Sequence, residues 1–131
     1  IIIAHSNDEK PLKSYNISDS LGVSDSYLKK IIRQLVVAGL ITSEAGKKGG
    51  VCLSRKPDKI TLLDIFEAIE GKEPFAKATG VERVFVNELK EIMDQKQAMI
   101  LDAFNAAEAS YKEKLKTITL KMAMVERKKD S

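Results

Sequence analysis

The chain has 131 residues, 44% hydrophobic and 31% charged, with one cysteine, one histidine and a net charge of +3. That size and composition suit one compact folded domain with a protruding element, while the lone cysteine excludes an intrachain disulfide framework and a metal site built from two or four cysteines. No apolar run approaches the roughly 20 residues that span a bilayer, and no secretory signal pattern is present, so no membrane partner and a reducing, cytoplasmic setting are expected.

Net charge alone says little about partners, but its distribution says more. Residues 24–56 hold seven Lys/Arg against two acids, a local +5, whereas residues 60–131 hold twelve basic against thirteen acidic. A basic patch confined to one part of a chain is what binding to phosphates requires.

The chain opens on Ile1-Ile-Ile-Ala-His-Ser, read as the last turns of a helix whose start lies outside the sequence. His5 is expected there in a structural or capping role. A first short helix follows, with Ser14 as N-cap and Ile17 and Leu21 as buried positions at i, i+4. Gly22-Val23 makes a tight turn. Ser24 caps a second helix that Gly39 ends. On that helix Leu28, Ile31, Ile32 and Leu35 form an apolar stripe. Ser26, Lys29, Lys30 and Arg33 repeat the same spacing on a different, cationic face. One face to dock and one to enter a major groove about 12 Å wide are the needs of a DNA-reading helix. Ser24 and Ser26 stand near its N-terminus, where donors and the dipole favour phosphate. Tyr27 is read either as a backbone contact or as packing under the following loop.

Residues 40–45 and 51–54 are short strand candidates around Gly46-Lys-Lys-Gly-Gly, a loop too glycine-rich to stay helical. Lys47 and Lys48 at the tip of such a ribbon, with Gly49 and Gly50 behind them, would meet phosphates or the minor groove. Cys52 lies beside this basic loop. A redox sensor is one reading of it, and a small buried hydrophobe is the preferred one.

Pro57 interrupts the chain. Thr61 then caps a helix over 62–70, with Leu62, Ile65, Phe66 and Ile69 on one face, and Gly71 stops it. Residues 72–80 read as a loop. From about Val81 to Lys116 the pattern is helical, with Phe85, Leu89, Ile92, Met99, Ala103, Ala107, Tyr111 and Leu115 at near-3.5 spacing. Such a rod runs on the order of 50 Å, longer than the small domain before it, so its stripe is expected to pack on a second copy of the chain. The segment 119–127 is expected to fold back as a final helix. The methionines at helical spacing read as core or seam. No nucleophile–base pair, phosphate loop or convergent acid pair emerges, so neither catalysis nor a cofactor is expected.

The order of these motifs, from the helix-turn-helix through Ala38-Gly39-Leu40-Ile41 and Gly49-Gly50 to Ile60-Thr61-Leu62-Leu63-Asp64, resembles the Rrf2 family of bacterial winged-helix transcription regulators. The resemblance is closest over residues 12–71 and weaker along the long helix. It implies a homodimer that binds a palindromic operator in double-stranded DNA and usually represses. Several members of that family hold an iron–sulfur cluster on three cysteines just before the long helix, yet residues 72–100 contain no cysteine here, which excludes ligation by those thiolates. The family's wing also opens on an Arg-Gly pair, where this chain has Ala45-Gly46. A lysine can replace the charge of that arginine but not its planar fork.

The expected fold is therefore mainly α with a small β-wing: a winged helix-turn-helix region over 1–59, a connecting helix and linker over 60–80, and a long dimerisation helix with a final helix over 81–131. The expected function is a sequence-specific DNA-binding regulator, most simply a repressor. The alternative is a winged-helix protein-interaction module that uses its long helix as the binding surface. The operator and the effector are not legible in the sequence.

Overall fold

The computed structural model describes residues 1–6, 12–47, 49–76 and 88–125, with 88–90 described in backbone only. Its elements are α1 (Ile2–His5), α2 (Ser14–Leu21), α3 (Asp25–Val37), β1 (Ile41–Ser43), β2 (Val51–Leu53), α4 (Leu62–Glu70), α5 (Glu88–Lys116) and α6 (Leu120–Ala123), with a 3-10 turn at Pro57–Lys59. Two compact units emerge: Ile1–Gly71 together with the stretch from Leu115 onward, and Lys72–Lys114. The expected mainly helical fold with a small β-wing is what the chain adopts.

The joint between α2 and α3 is set by local chemistry. Gly22 takes the left-handed conformation (φ 66°, ψ 30°), while its amide and that of Val23 return to the carbonyls of Asp19 and Ser18. This is the glycine-ended closure that satisfies a helix's last carbonyls. Two residues later the Ser24 side chain accepts from the Tyr27 amide at 3.2 Å and starts α3. At the other end Gly39 and Leu40 donate back to Val36 and Leu35, repeating the closure.

Two local expectations need correction. Lys13, not Ser14, holds the N-cap position of α2, and it offers no side-chain bond. The reason lies upstream. Leu12 exchanges backbone bonds with Val51, at 3.3 and 2.7 Å, so the chain stays extended through Lys13 and enters the helix one residue early. Leu21, expected in the core beside Ile17, is exposed. It lines the rim of an open apolar groove of about 290 Å³ with Ile1, Ile2, Ile3, Ile17 and the apolar stripe of α3.

The wing is an antiparallel pair in the register Ile41↔Leu53, Thr42↔Cys52, Ser43↔Val51. The rung contributed by Leu12 puts β2 between two neighbours. Only Ile41 and Val51 are fully buried, because residues alternate faces along a strand and one face must meet the core.

α4 begins with a full capping box. The Asp64 amide donates to the Thr61 hydroxyl at 3.1 Å, and the Thr61 amide donates to the Asp64 carboxylate at 3.0 Å. The segment after α5 then returns to the same place. Leu62 donates to Ile118 at 2.9 Å, and Leu120 donates to Ile60 at 2.7 Å. Ile60 is 1% exposed and Leu120 4%, in one core with Ile17, Leu28, Ile32, Leu40, Ile41 and Val51. Of the final helix expected over 119–127, a single turn forms, α6, which ends at Ala123 because Met124 is extended; its first residue completes the core of the first unit. The C-terminal residues 126–131 lie outside the described residues.

The described part of the expected long helix, α5, has 29 residues, on the order of 43 Å of rod, and all but its last two belong to the second unit. Residues 77–87, and with them Phe85, lie outside the described residues. Phe75 meets Tyr111 edge to face, with ring centroids 5.9 Å apart.

Leu120→Ala should lower unfolding free energy by about 2–5 kcal/mol in urea titration, as a buried leucine does. Met99→Ala on the exposed side of α5 should change it by less than about 0.5 kcal/mol in the monomeric chain.

Candidate nucleic-acid interface

The geometry of α3 follows from what it buries. Leu28 and Ile32 are buried, and Ile31 and Leu35 are half-buried at its flanks. At 100° per residue, Ser26, Lys30 and Arg33 then fall on the opposite side, and all three are exposed. Val37 continues that line and is 84% exposed. Lys29, on the flank, forms a 3.0 Å ion pair with Asp25 one turn earlier, both side chains largely in solvent. Such a screened pair is worth little, so a phosphate oxygen can take the place of Asp25. Tyr27 stands on the surface, 57% exposed, rather than under the wing. Ser24 keeps its hydroxyl on the Tyr27 amide and lies 3.4 Å from the Ser26 hydroxyl, which groups two oxygens at the positive end of the helix.

The wing loop owes its shape to close backbone contacts. Glu44 donates to Gly50 at 3.0 Å and Gly49 to Gly46 at 3.1 Å. The Lys13 ammonium donates to the Gly46 carbonyl and ties the loop to the start of α2. A side chain at Gly49 would overlap the Glu44 carbonyl, which is why that position is glycine. Lys47 is exposed at the tip, and Lys48 lies outside the described residues. Behind the wing, the Ser54 hydroxyl donates to the Gly39 carbonyl, and the Arg55 guanidinium lies 4.0 Å from the Asp64 carboxylate.

Cys52 is half-buried on β2 and lines a cavity of about 600 Å³ with Ile3, Leu53, Arg55, Lys56 and Met124. It is neither the fully buried hydrophobe of the preferred reading nor an openly displayed thiol. His5 acts locally. Its Nδ1 donates to the Ile1 carbonyl and its Nε2 accepts from the Val125 amide, each at 3.0 Å.

Along α5, Ile92 is 53% exposed and Met99 59%, and Ala103, Ala107 and Tyr111 are also exposed. Leu115 is half-buried, and the side chain of Leu89 lies outside the described residues. Ile100 and Phe104, each 53% exposed, extend the same apolar face and were not among the expected residues. A narrow 3.5-residue template selects one seam, whereas a straight 3.6-residue helix carries the face one position further round. Counting at the wider period would have found them. The other residues that sequence reasoning missed are Lys13 and Gln34. Both act through backbone carbonyls distant in sequence, for which no local pattern exists.

Comparison with known proteins follows the same lines. Residues 1–126 match the family described as "Rrf2: Iron-dependent Transcriptional regulator". The chain is 32% identical to the HTH-type regulator YffB of Lactococcus lactis subsp. lactis over 92% of its own length and 76% of that protein. It is 40% identical to the HTH-type regulator YwgB of Bacillus subtilis over 72% of its length, and there it spans 61% of the relative. CymR (YrzC), the global cysteine regulator of B. subtilis, shares the fold with a TM-score of 0.62 at 25% identity, covering 93% of this chain and 84% of that one. An IscR structure from T. potens gives a TM-score of 0.63 at 23% identity. Among the described residues no donor set fits the iron in the family description. The sequence holds a single cysteine, and among the described residues no three His, Cys, Asp or Glu side chains group to hold a metal.

Gly49→Ala should force the wing loop to shift and cost about 1–3 kcal/mol, as overpacking does. A calorimetric melt against Gly46→Ala, whose site is sterically open, separates the overlap at Gly49 from the strain of the loop.

Proposed function

The chain belongs to the Rrf2 family of transcriptional regulators, and from that premise we propose that it is a cytoplasmic, homodimeric repressor of a palindromic operator. No described helix is long and apolar enough to cross a membrane, and its relatives are transcriptional regulators rather than enzymes. The observation that carries the proposal is α3, docked through Leu28 and Ile32 while Ser26, Lys30 and Arg33 face solvent.

In this reading α3 enters the major groove N-terminus first. Ser24 and Ser26 donate to a backbone phosphate at the helix's positive end, and Lys29 exchanges Asp25 for phosphate. Lys30 and Arg33 reach base edges, where an arginine fork matches the two acceptors of guanine. Tyr27 adds a hydroxyl to the backbone contacts. Lys47 and Lys48 lay the wing on the neighbouring phosphates and Gly50 lets the backbone come close, whereas Gly49, expected at the same contact, is buried and shapes the loop from within.

The partner copy covers α5. Ile92, Met99, Ile100, Ala103, Phe104, Ala107 and Tyr111 form a long apolar face that monomeric proteins rarely leave in water. Phe85, Leu89 and Leu115 are assigned to its two ends. A homodimer of this kind sets two copies of α3 in successive major grooves, about 34 Å apart. An effector that tilts the pair would change operator affinity.

Selection from a random duplex library should enrich a two-fold-symmetric sequence with half-sites about one turn apart. Enrichment of unrelated, asymmetric sequences would defeat the proposal, and Arg33→Ala should lose the enrichment. Operator affinity should fall steeply with salt, and Lys47→Ala should reduce the slope by roughly 1 while weakening binding to all sequences alike. A shallow salt response would favour the protein-interaction alternative. Ile100→Glu should turn the dimer into a monomer in sedimentation equilibrium; an unchanged mass would place the dimer seam elsewhere.

A further inference from the structure

Gln34 is the polar residue of α3 that belongs neither to the docked stripe nor to the cationic face. Its Nε2 donates to the Ile69 carbonyl, 3.2 Å away in the last turn of α4. Its Oε1 is buried with no hydrogen-bond partner among the described residues. α3 and α4 pack together here, with Leu35 and Ile65 among the apolar residues at the edge of the core. A leucine would occupy the same space, exchanging the stranded Oε1 for an Ile69 carbonyl that loses this donor. A buried acceptor without a donor weakens the fold, so this side chain is not explained by stability. It is explained by direction. A hydrogen bond constrains both distance and angle, whereas apolar side chains can slide past one another.

We infer that Gln34 is a positioning residue for sequence reading, and that its bond to Ile69 sets the rotation of α3 about its own axis. The inference rests on α3 being the DNA-reading helix. Arg33 is its immediate neighbour, and Lys30 lies one turn before it, so the pin acts where the exposed cations leave the helix. A rotation of about 15° carries a guanidinium tip roughly 2 Å sideways, beyond the ~0.5 Å that a precise contact tolerates. Contacts to phosphate, which long cationic side chains make from many angles, are far less sensitive. Loss of the pin therefore lowers discrimination between sequences and leaves general affinity for DNA intact.

Two duplexes serve as probes: the sequence enriched by the native chain, and a scrambled duplex of the same composition. Gln34→Leu is expected to melt close to the native midpoint, one stranded acceptor being exchanged for another, and to bind the scrambled duplex as before. Its affinity ratio between the two duplexes should fall about tenfold, the size of one lost base contact. Gln34→Glu keeps the length but cannot donate when ionised, and should lose the ratio to the same extent. An unchanged ratio in Gln34→Leu overturns the inference. A lowered midpoint with equal loss on both duplexes also overturns it, because that is the behaviour of an ordinary packing residue. If the native chain enriches no sequence at all, the DNA reading fails first and this inference falls with it.

Discussion

Leu28 and Ile32 must leave water, and Ile17, Leu40, Ile41 and Val51 are the surfaces that receive them. Each helical side chain points where its place on the helix sends it, so burying this pair also turns Ser26, Lys30 and Arg33 outward on the far side. Burial alone brings the cationic face to solvent, and the Gln34 bond inferred above sets only its finer rotation. That face is what remains of α3 after the core has taken its share. The same burial explains why the two ends of the helix are so firmly defined. Ser24 and the Gly39–Leu40 closure set where the helix begins and ends relative to that core, and a shift of one residue would move every side chain by 100°.

What could be read from the sequence follows the range of the forces involved. The caps at Ser24 and Thr61, the stop at Gly39 and the two faces of α3 all depend on residues within about one turn of each other, and each was legible. The wing was legible too, because glycine in that number excludes a helix. The misplaced cap at Ser14 and the exposed Leu21 have a common cause. Both depend on segments distant in the chain, Leu12 pairing with Val51 in one case and the reach of α1 in the other. No periodicity reports such contacts. The return of residues 118–120 to residues 60–62 is likewise a backbone pairing between segments almost sixty positions apart. A fold-back over 119–127 is expected from the sequence, but nothing local says that it docks on residues 60–62. Of the candidate site, the cations of α3 were found where the pattern put them, whereas Lys13 and Gln34 work through carbonyls elsewhere in the fold.

The chain keeps the family's frame and departs from it in its chemistry. The single cysteine sits in the wing, at Cys52, and residues 72–100 hold none. A signal carried by a cluster on three thiolates is therefore closed to it. The wing shows a parallel change, with Ala45 at its opening and lysine charge at its tip. A lysine is a point charge on a flexible stem, which suits phosphates better than the flat edges of bases. In the proposed reading, selectivity is then concentrated on α3, and the wing contributes mainly reach and charge.

Leu120 has a further consequence, for the order in which the chain matures. Translation delivers residue 120 long after Ile60, yet Ile60 has its neighbour on that side only once Leu120 arrives and their backbones pair. Everything between them, including all of α5, must leave the ribosome first. A prematurely ended product that stops within α5 therefore lacks a wall of its own core. Such a fragment is an exposed target for proteases rather than a half-competent competitor of the finished protein.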